Sequence, residues 1–579
     1  MVLIAWVVIY GALLIMNQAM IASVEFRDPD DQLRLQQVRD LLAGQSWFDV
    51  HQYRVDAAAG GVPMHWSRLV DVPIAALILL LRPMLGTAGA ELATLLAVPA
   101  LTLLAILAPV GWMAARVLPR GASALSLLAV AFAVPAMLQV LPLRIDHHGW
   151  QIALFLAAMA AMLDSSERRG GWTTGAALAA WMAISFEGLP LSAWIIAVLA
   201  LFALWDAAAR TRLVAAMFGL ATTSGALFLA TRGLRDLANH CDAIAPVHLA
   251  IFAWGALAIG VTNAWRPQSR IVLMAGLAIA GAGALALLAT AAPQCTSGTF
   301  DMLDPVVRSF WYDNVQEGKT LFLSPWPIIA QHLGPALVGL VVAIGLARKT
   351  TGSLRRWWLV CALVLLAGIA LAMAVSRSAS YPAALAALPL GYLLHALLTG
   401  MRRPESPVLR VGELVGVAGL MFIILLPVVP VMALETLIGA RTSDAASKAA
   451  SGIACKTGEA TAAIAALPPG DILAPMDFGP DILVGTDRSV LATGHHRGAS
   501  AIRKVIDAFS GTPEEARKIM RDNRLRYAIV CPKVQEMDLY RKRAPDGFAV
   551  RLLEGRAPAW LRPVPLPAAS GLRMWEAVE

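Results

Sequence analysis

Thirteen apolar runs recur between Val2 and Glu435, each near the roughly 17 to 25 residues that cross a bilayer as helix. No other feature constrains the fold as tightly, because backbone in lipid must satisfy its own polar groups and a chain of such runs can do so only as helices. The runs are 2–24, 90–115, 121–143, 149–163, 172–186, 189–205, 213–231, 246–263, 271–292, 328–347, 357–375, 380–399 and 411–435. Only 15% of the 579 residues are charged and 58% are hydrophobic, against about a quarter charged in soluble domains. The expected fold class is a polytopic α-helical membrane protein. Met1 to Met20 has neither a basic leader nor a small-residue cleavage site, so the first span is expected to stay uncleaved.

A further run, Val70–Gly86, carries Asp71, Pro73, Arg82 and Pro83 and reads as an interfacial or re-entrant helix. With that run left out and the N-terminus cytoplasmic, six loops face inward. They hold Arg116/Arg120, Arg168/Arg169, Arg210/Arg212, Arg266/Arg270, Arg348/Lys349/Arg355/Arg356 and Arg402/Arg403/Arg410, the positive-inside pattern at every turn. Counting Val70–Gly86 as a span would put all six outside. The net charge of +8 is thus spent on orientation and is no sign of a nucleic-acid partner. The expected location is the inner (plasma) membrane, multi-pass.

Four segments then lie on the extracytoplasmic side: the loop 25–89, the Asp146 corner, the loop 293–327, and the chain beyond about Thr436. Residues 1–438 are expected to form the transmembrane domain and 439–579 a small periplasmic α/β domain. In the latter, "GDILAPMDFGPDILVGTDRSVLATGHH" reads as short strands and turns. "TPEEARKIMRDNRLRYAIVCP" reads as a helix capped by Thr512, with Pro513 at its first position, running into a strand. Cys361 lies in a span, whereas Cys241, Cys295, Cys455 and Cys531 fall outside. Bridges Cys241–Cys295 and Cys455–Cys531 are compatible with that side, and so are four free thiols.

Candidate chemistry collects on the same face. Asp28, Asp30 and Asp31 follow the first span and precede an amphipathic helix; capping and helix-dipole charge account for one or two of them. Asp146 and His148 are two residues apart, with His147 between them. A carboxylate beside an imidazole suits a divalent cation of the manganese, iron or zinc type, though headgroup-solvated polar residues would look the same. Glu317 sits in a long external loop of a length that is usually functional. Arg377, at the outer end of a span, could hold a phosphate by paired hydrogen bonds or snorkel to lipid headgroups. Glu187, at the tip of a helical hairpin, is a weaker candidate. No P-loop, dinucleotide-binding glycine pattern, zinc-spaced Cys/His array or G-x-S-x-G occurs.

In order and sidedness these motifs resemble the catalytic subunit of oligosaccharyltransferases, GT-C membrane glycosyltransferases. "FRDPDDQLRLQQVRDLLAGQSWFD" resembles that family's first external loop, "RIDHHGW" the D-x-H form of its second acidic motif, and "NVQEGKT" its external-loop motif ending in Glu. The resemblance implies about thirteen transmembrane helices and a C-terminal domain outside. It implies catalytic roles for Asp28, Asp146 and Glu317, a divalent metal (Mn or Mg) on Asp28, Asp146, His148 and Glu317, and donor phosphate on Arg377. Asp477 and Arg34 fall where acceptor contacts would lie. The family's Trp-Trp-Asp signature is replaced by Pro475-Met476-Asp477.

The activity this implies is inverting transfer of a sugar or oligosaccharide from a polyprenyl-phosphate or -diphosphate donor to an extracytoplasmic acceptor, by a single-subunit enzyme in contact with membrane lipid. Whether the acceptor is a protein, a glycan or a lipid stays open, and the missing tryptophans lean away from protein. The reading from another class is a lipid-linked glycan transporter or flippase, but such proteins place their charges mid-bilayer on broken helices.

Overall fold

The computed structural model describes every residue except 267–268, 299, 301–302, 402–405, 438–454, 456, 533 and 579. Arg402, Arg403 and the expected domain boundary at 438/439 lie outside the described residues. A helix coincides with each expected apolar run. Nine described helices are by themselves long and apolar enough to cross a membrane, and Arg120–Ala131 with Val134–Val140 makes a tenth, bent by 63°. Val2–Met16 and His148–Ala161 are apolar but shorter. The chain is a multi-pass membrane protein.

The helix Arg68–Val117 is interrupted at Gly86, whose φ of 69° is a left-handed conformation that costs only glycine nothing. Residues 68–85 therefore form a helix of their own ahead of the next span. Close packing inside the bundle also rests on small residues: a Cβ on Gly175 would stand 2.0 Å from the carbonyl of Ala216, and one on Gly391 would meet Ser126.

The C-terminal domain is built on a four-stranded mixed sheet. Asp471–Leu473 pairs parallel with Leu525–Val530, which pairs antiparallel with Arg573–Ala577, and Leu561–Val564 closes the edge. Thr512 does cap Pro513–Asp522, through a reciprocal capping box with Glu515, and this helix leads into Leu525–Val530. The stretch expected to alternate strands and turns is mostly otherwise. After Asp471–Leu473 it forms a 3-10 turn, Met476–Phe478, and a helix, Gly479–Gly485. Pro480 in the first turn of that helix favours the helical start, and short apolar runs cannot by themselves tell strand from helix.

The loops 25–89 and 293–327 are both built into this domain. Leu33, Val55, Val62, Met64 and Trp66 of the first loop share one core with Ile472, Phe478, Ile482, Tyr527 and Ile529. Val307 of the second loop packs with Val505, Phe509 and Tyr540 on the other side of the sheet. That loop contains a short helix, Pro305–Phe310, capped by Asp304. The two cysteine pairs are joined, Cys241–Cys295 and Cys455–Cys531. These links make the outer ends of the spans, two loops and the C-terminal domain the walls of one space.

Candidate active site

That space is a cavity of about 1000 Å³. Asp28, Asp30, His147, His148, Glu187, Glu317, Arg377 and Asp477 all line it, although the sequence separates them by up to 449 positions (477 − 28).

Asp28 caps the helix Pro29–Leu42, Oδ1 accepting from the backbone N–H of Asp30 at 3.0 Å. Its other oxygen faces Arg144 Nη1 at 2.5 Å. The same guanidinium reaches Asp31 at 3.3 Å and Asp146 at 3.0 Å, and donates to Gln139 Oε1 at 2.8 Å. Asp31 is buried and accepts from the backbone N–H groups of Ile145 and Asp146 at 2.8 and 3.0 Å, which sets the path of the corner. Arg144 is therefore the hub of the acidic cluster, and sequence reasoning passed over it. A signal existed: it is an arginine two residues before Asp146, within an otherwise apolar stretch.

The balance of charge follows. Burial raises the Asp146 carboxyl, but Arg144 and the two adjacent imidazoles outweigh this and hold it below the usual carboxylate range. Burial, with the charges of Asp28, Asp146 and Glu317, pushes Asp30 well up. Asp31 is also raised, burial outweighing Arg144. One guanidinium does not satisfy four acids, which is a setting that draws a further cation.

Asp146, His147 and His148 offer ligand atoms within 4.8 Å of one another. The two imidazoles are not equivalent. Trp181 Nε1–H, which can only donate, bonds Gln151 Oε1 at 3.1 Å, and Tyr381 donates to the same oxygen at 2.8 Å. The Gln151 amide N–H then faces His148 Nδ1 at 3.2 Å. Neutral His148 thus carries its proton on Nε2, 3.8 Å from Asp146. His147 Nδ1 is buried with no partner among the described residues. It is the nitrogen left for a cation.

Across the cavity, Arg377 pairs with Glu187, and its Nη1 lies 3.2 Å from Glu317 Oε1. Ser376 donates through its hydroxyl to the Glu317 carbonyl and through its N–H to that of Lys319, so the loop carrying Glu317 is tied to the turn carrying Arg377.

Asp477 lies at the domain side of the cavity. Its backbone N–H donates to Glu536 Oε2 at 3.4 Å, and Tyr540 donates to the other oxygen at 3.1 Å. Burial and the Asp477 charge push the Glu536 carboxyl up to about 8. Glu536 lines the cavity and carried no sequence signal. Arg34, expected among acceptor contacts, does not line the cavity: it is fully buried, paired with Asp71 at 2.9 Å and stacked 4.5 Å over Trp66, which does line it.

No protein-family model matches the chain, and no curated protein does. Among solved structures, the oligosaccharyltransferase AglB of the archaeon Archaeoglobus fulgidus, in complex with an inhibitory peptide and a dolichol-phosphate, has the same fold. The TM-score is 0.62 at 14% identity, over 91% of this chain and 69% of that one. AglB in complex with zinc and sulfate matches at TM-score 0.59 and 14% identity, over 92% and 68%. AglB tethered to an acceptor peptide with an NVT sequon matches at 0.57 and 14%, over 90% and 68%. The likeness is one of fold: this chain and the archaeal oligosaccharyltransferase share an architecture.

Proposed function

We propose that the chain is a membrane glycosyltransferase that transfers a sugar or oligosaccharide from a polyprenyl-phosphate or -diphosphate donor to an acceptor on the extracytoplasmic face. One observation carries the reading: Asp28, the imidazoles of His147 and His148 and the carboxylate of Glu317, from three separate segments, converge with Arg377 on a single cavity, with Asp146 beneath the wall, beside the two imidazoles. The positive-inside pattern puts that cavity outside, with the N-terminus cytoplasmic. The two disulfides agree with an oxidising side. The fold's likeness to a protein solved with dolichol-phosphate and peptide adds support.

The donor's phosphate leaves with growing negative charge, so positive groups fixed in advance lower the barrier. Arg377 would take the phosphate oxygens in exchange for Glu187 or Glu317. A divalent ion, manganese or magnesium, fits the donors present: Asp146 and the free nitrogen of His147, with Asp28, Glu317 and His148 adjoining. When bound it would supply charge stabilisation for the leaving phosphate. Asp28, already oriented by Arg144, would align or deprotonate the acceptor. A single direct displacement inverts the anomeric carbon.

The narrower reading of the acceptor is a glycan or lipid, because Pro475-Met476 replaces the paired tryptophans beside Asp477. A flippase reading fits less well, since the charged groups gather in one cavity. The test is transfer by the purified single subunit in nanodiscs, with host polyprenyl-linked glycans and Mn²⁺ or Mg²⁺. Release of the polyprenyl carrier by wild type, lost in Asp28→Ala and Asp146→Ala, is expected. Donor that binds but is never consumed, with peptide, glycan and lipid acceptors all supplied, would turn the case towards transport.

A further inference from the structure

Beside the Trp66 indole, three imidazoles meet. His65 follows the strand Val62–Pro63 of the first external loop, while His495 and His496 belong to the C-terminal domain. One nitrogen or the other of each ring lies within 4.8 Å of the others', and all three residues line the cavity. The Trp66 ring lies near both groups, 6.3 Å from His147 and 5.6 Å from His495 between ring centroids.

The hydrogen bonding of this cluster is incomplete. His65 Nδ1 and His495 Nε2 face each other at 2.9 Å, and between them there is room for one proton. These two nitrogens are the ligating pair; His495 Nδ1, the ring's other nitrogen, is buried with no partner among the described residues and carries the proton of the neutral ring. His496 is supported from behind: its Nε2 lies 2.6 Å from Asp242 Oδ2, and Asp242 also accepts two bonds from Arg497 at 2.8 Å. A carboxylate behind an imidazole is the usual outer support of a metal-bound histidine. The nearby cations are already answered, Arg497 by Asp242 and Arg232 by Asp236.

We propose that His65, His495 and His496 form a second metal site, for a divalent ion of the zinc class, with a fourth position open to the cavity. Three neutral nitrogens suit zinc and disfavour magnesium, which takes oxygen ligands. Tetrahedral bonds of about 2.0–2.1 Å set the nitrogens about 3.3 Å apart, so the facing pair opens by only a few tenths of an ångström. The ion ties the first external loop to the C-terminal domain and offers its open position to water or to an anionic oxygen in the cavity. The site is independent of the transferase reading, because none of its ligands belongs to the Asp146 corner.

The test uses the full-length protein in detergent, stripped with chelator, reloaded with Zn²⁺ or Co²⁺ and desalted. In an Asp146→Asn background, which removes the carboxylate of the other site, the protein is expected to retain one ion that added His65→Ala or His495→Ala loses, and zinc should raise Tm only where both histidines are kept. Asp242→Asn should weaken binding by about 10- to 100-fold. The proposal is overturned if wild type retains no zinc, if both histidine variants keep the full complement, or if Asp146→Asn alone abolishes it. Should the histidine variants fail to fold, the Co²⁺ spectrum of wild type decides: intense tetrahedral bands support the site, and weak octahedral bands overturn it.

Discussion

Arg144 Nη1 stands 2.5 Å from Asp28 Oδ2, joining the second acidic segment to the first. The same side chain holds Asp31 and Asp146, so its loss would leave three carboxylates facing one another. Breaking a buried ion pair from one side costs about 3–5 kcal/mol, and Arg144→Gln should lower Tm accordingly. The sign with pH is fixed. Without the guanidinium the Asp31 carboxyl rises further above the ordinary range and Asp146 loses the charge that most holds it down, so the folded state binds more protons than before and stability falls as pH rises. Thermal melts at pH 5 and pH 8 should show the larger deficit at pH 8. An equal deficit at both would mean that Arg144 serves packing alone.

Arg377 makes a different prediction, because its two acids should separate in kinetics. Glu187 pairs with it without reaching the Asp146 corner, so Glu187→Gln should free the guanidinium and lower the KM for donor. Glu317→Gln should instead lower kcat. Arg377→Lys loses the planar fork that matches phosphate, and a fall of about 10- to 100-fold in kcat/KM is expected, from the roughly 1.5–3 kcal/mol of a charged hydrogen bond. Steady-state kinetics against donor concentration decides it; unchanged constants in Arg377→Lys would remove Arg377 from the donor site.

The apolar helices of a multi-pass membrane protein were legible in the sequence, because hydropathy acts locally and repeats along the chain. Asp28, Glu317 and Arg377 stood out singly because each breaks an apolar setting, and all three line the one cavity. What could not be read is which groups answer them. Arg144 looks like one more arginine until the corner folds it against Asp28, and the Gln151 amide that sets the His148 tautomer is itself set by Trp181 and Tyr381 from other helices. Arg34 was misplaced because a motif position does not show which way a helix face turns; here it turns to Asp71 and Trp66. The helix Gly479–Gly485 was read as strand because its apolar run is too short to reveal a period.

Glu536 gives a pH signature of its own. Its carboxyl is pushed up to about 8 in the folded protein by burial and by Asp477, against about 4.3 when unfolded. Between those values the folded state holds the extra proton, so stability declines as pH rises from about 4.5 and the loss is complete a little above 8, at about 1.4 kcal/mol per unit. Glu536→Gln keeps the bond from Tyr540 and has no charge to bury. Its Tm should match wild type at pH 5 and exceed it at pH 9. A gap that does not widen with pH would show that Glu536 titrates normally.

Asp71 is the counter-charge beneath the first external loop. It is fully buried, accepting from Arg34 at 2.9 Å, Arg68 at 3.0 Å and Gln37 at 2.7 Å. Asp71→Ala strands two buried guanidiniums, and a loss of about 3–5 kcal/mol is expected. Arg34→Met leaves Asp71 paired with Arg68 and should cost less, while loosening Trp66, over which Arg34 stacks. The double variant should be less destabilised than the sum of the two, since each removes part of what the other lost. Thermal unfolding of the four proteins measures the coupling. If Arg34→Met left Tm intact and abolished acceptor binding, Arg34 would be a contact residue after all, and the support of Trp66 would have to come from elsewhere.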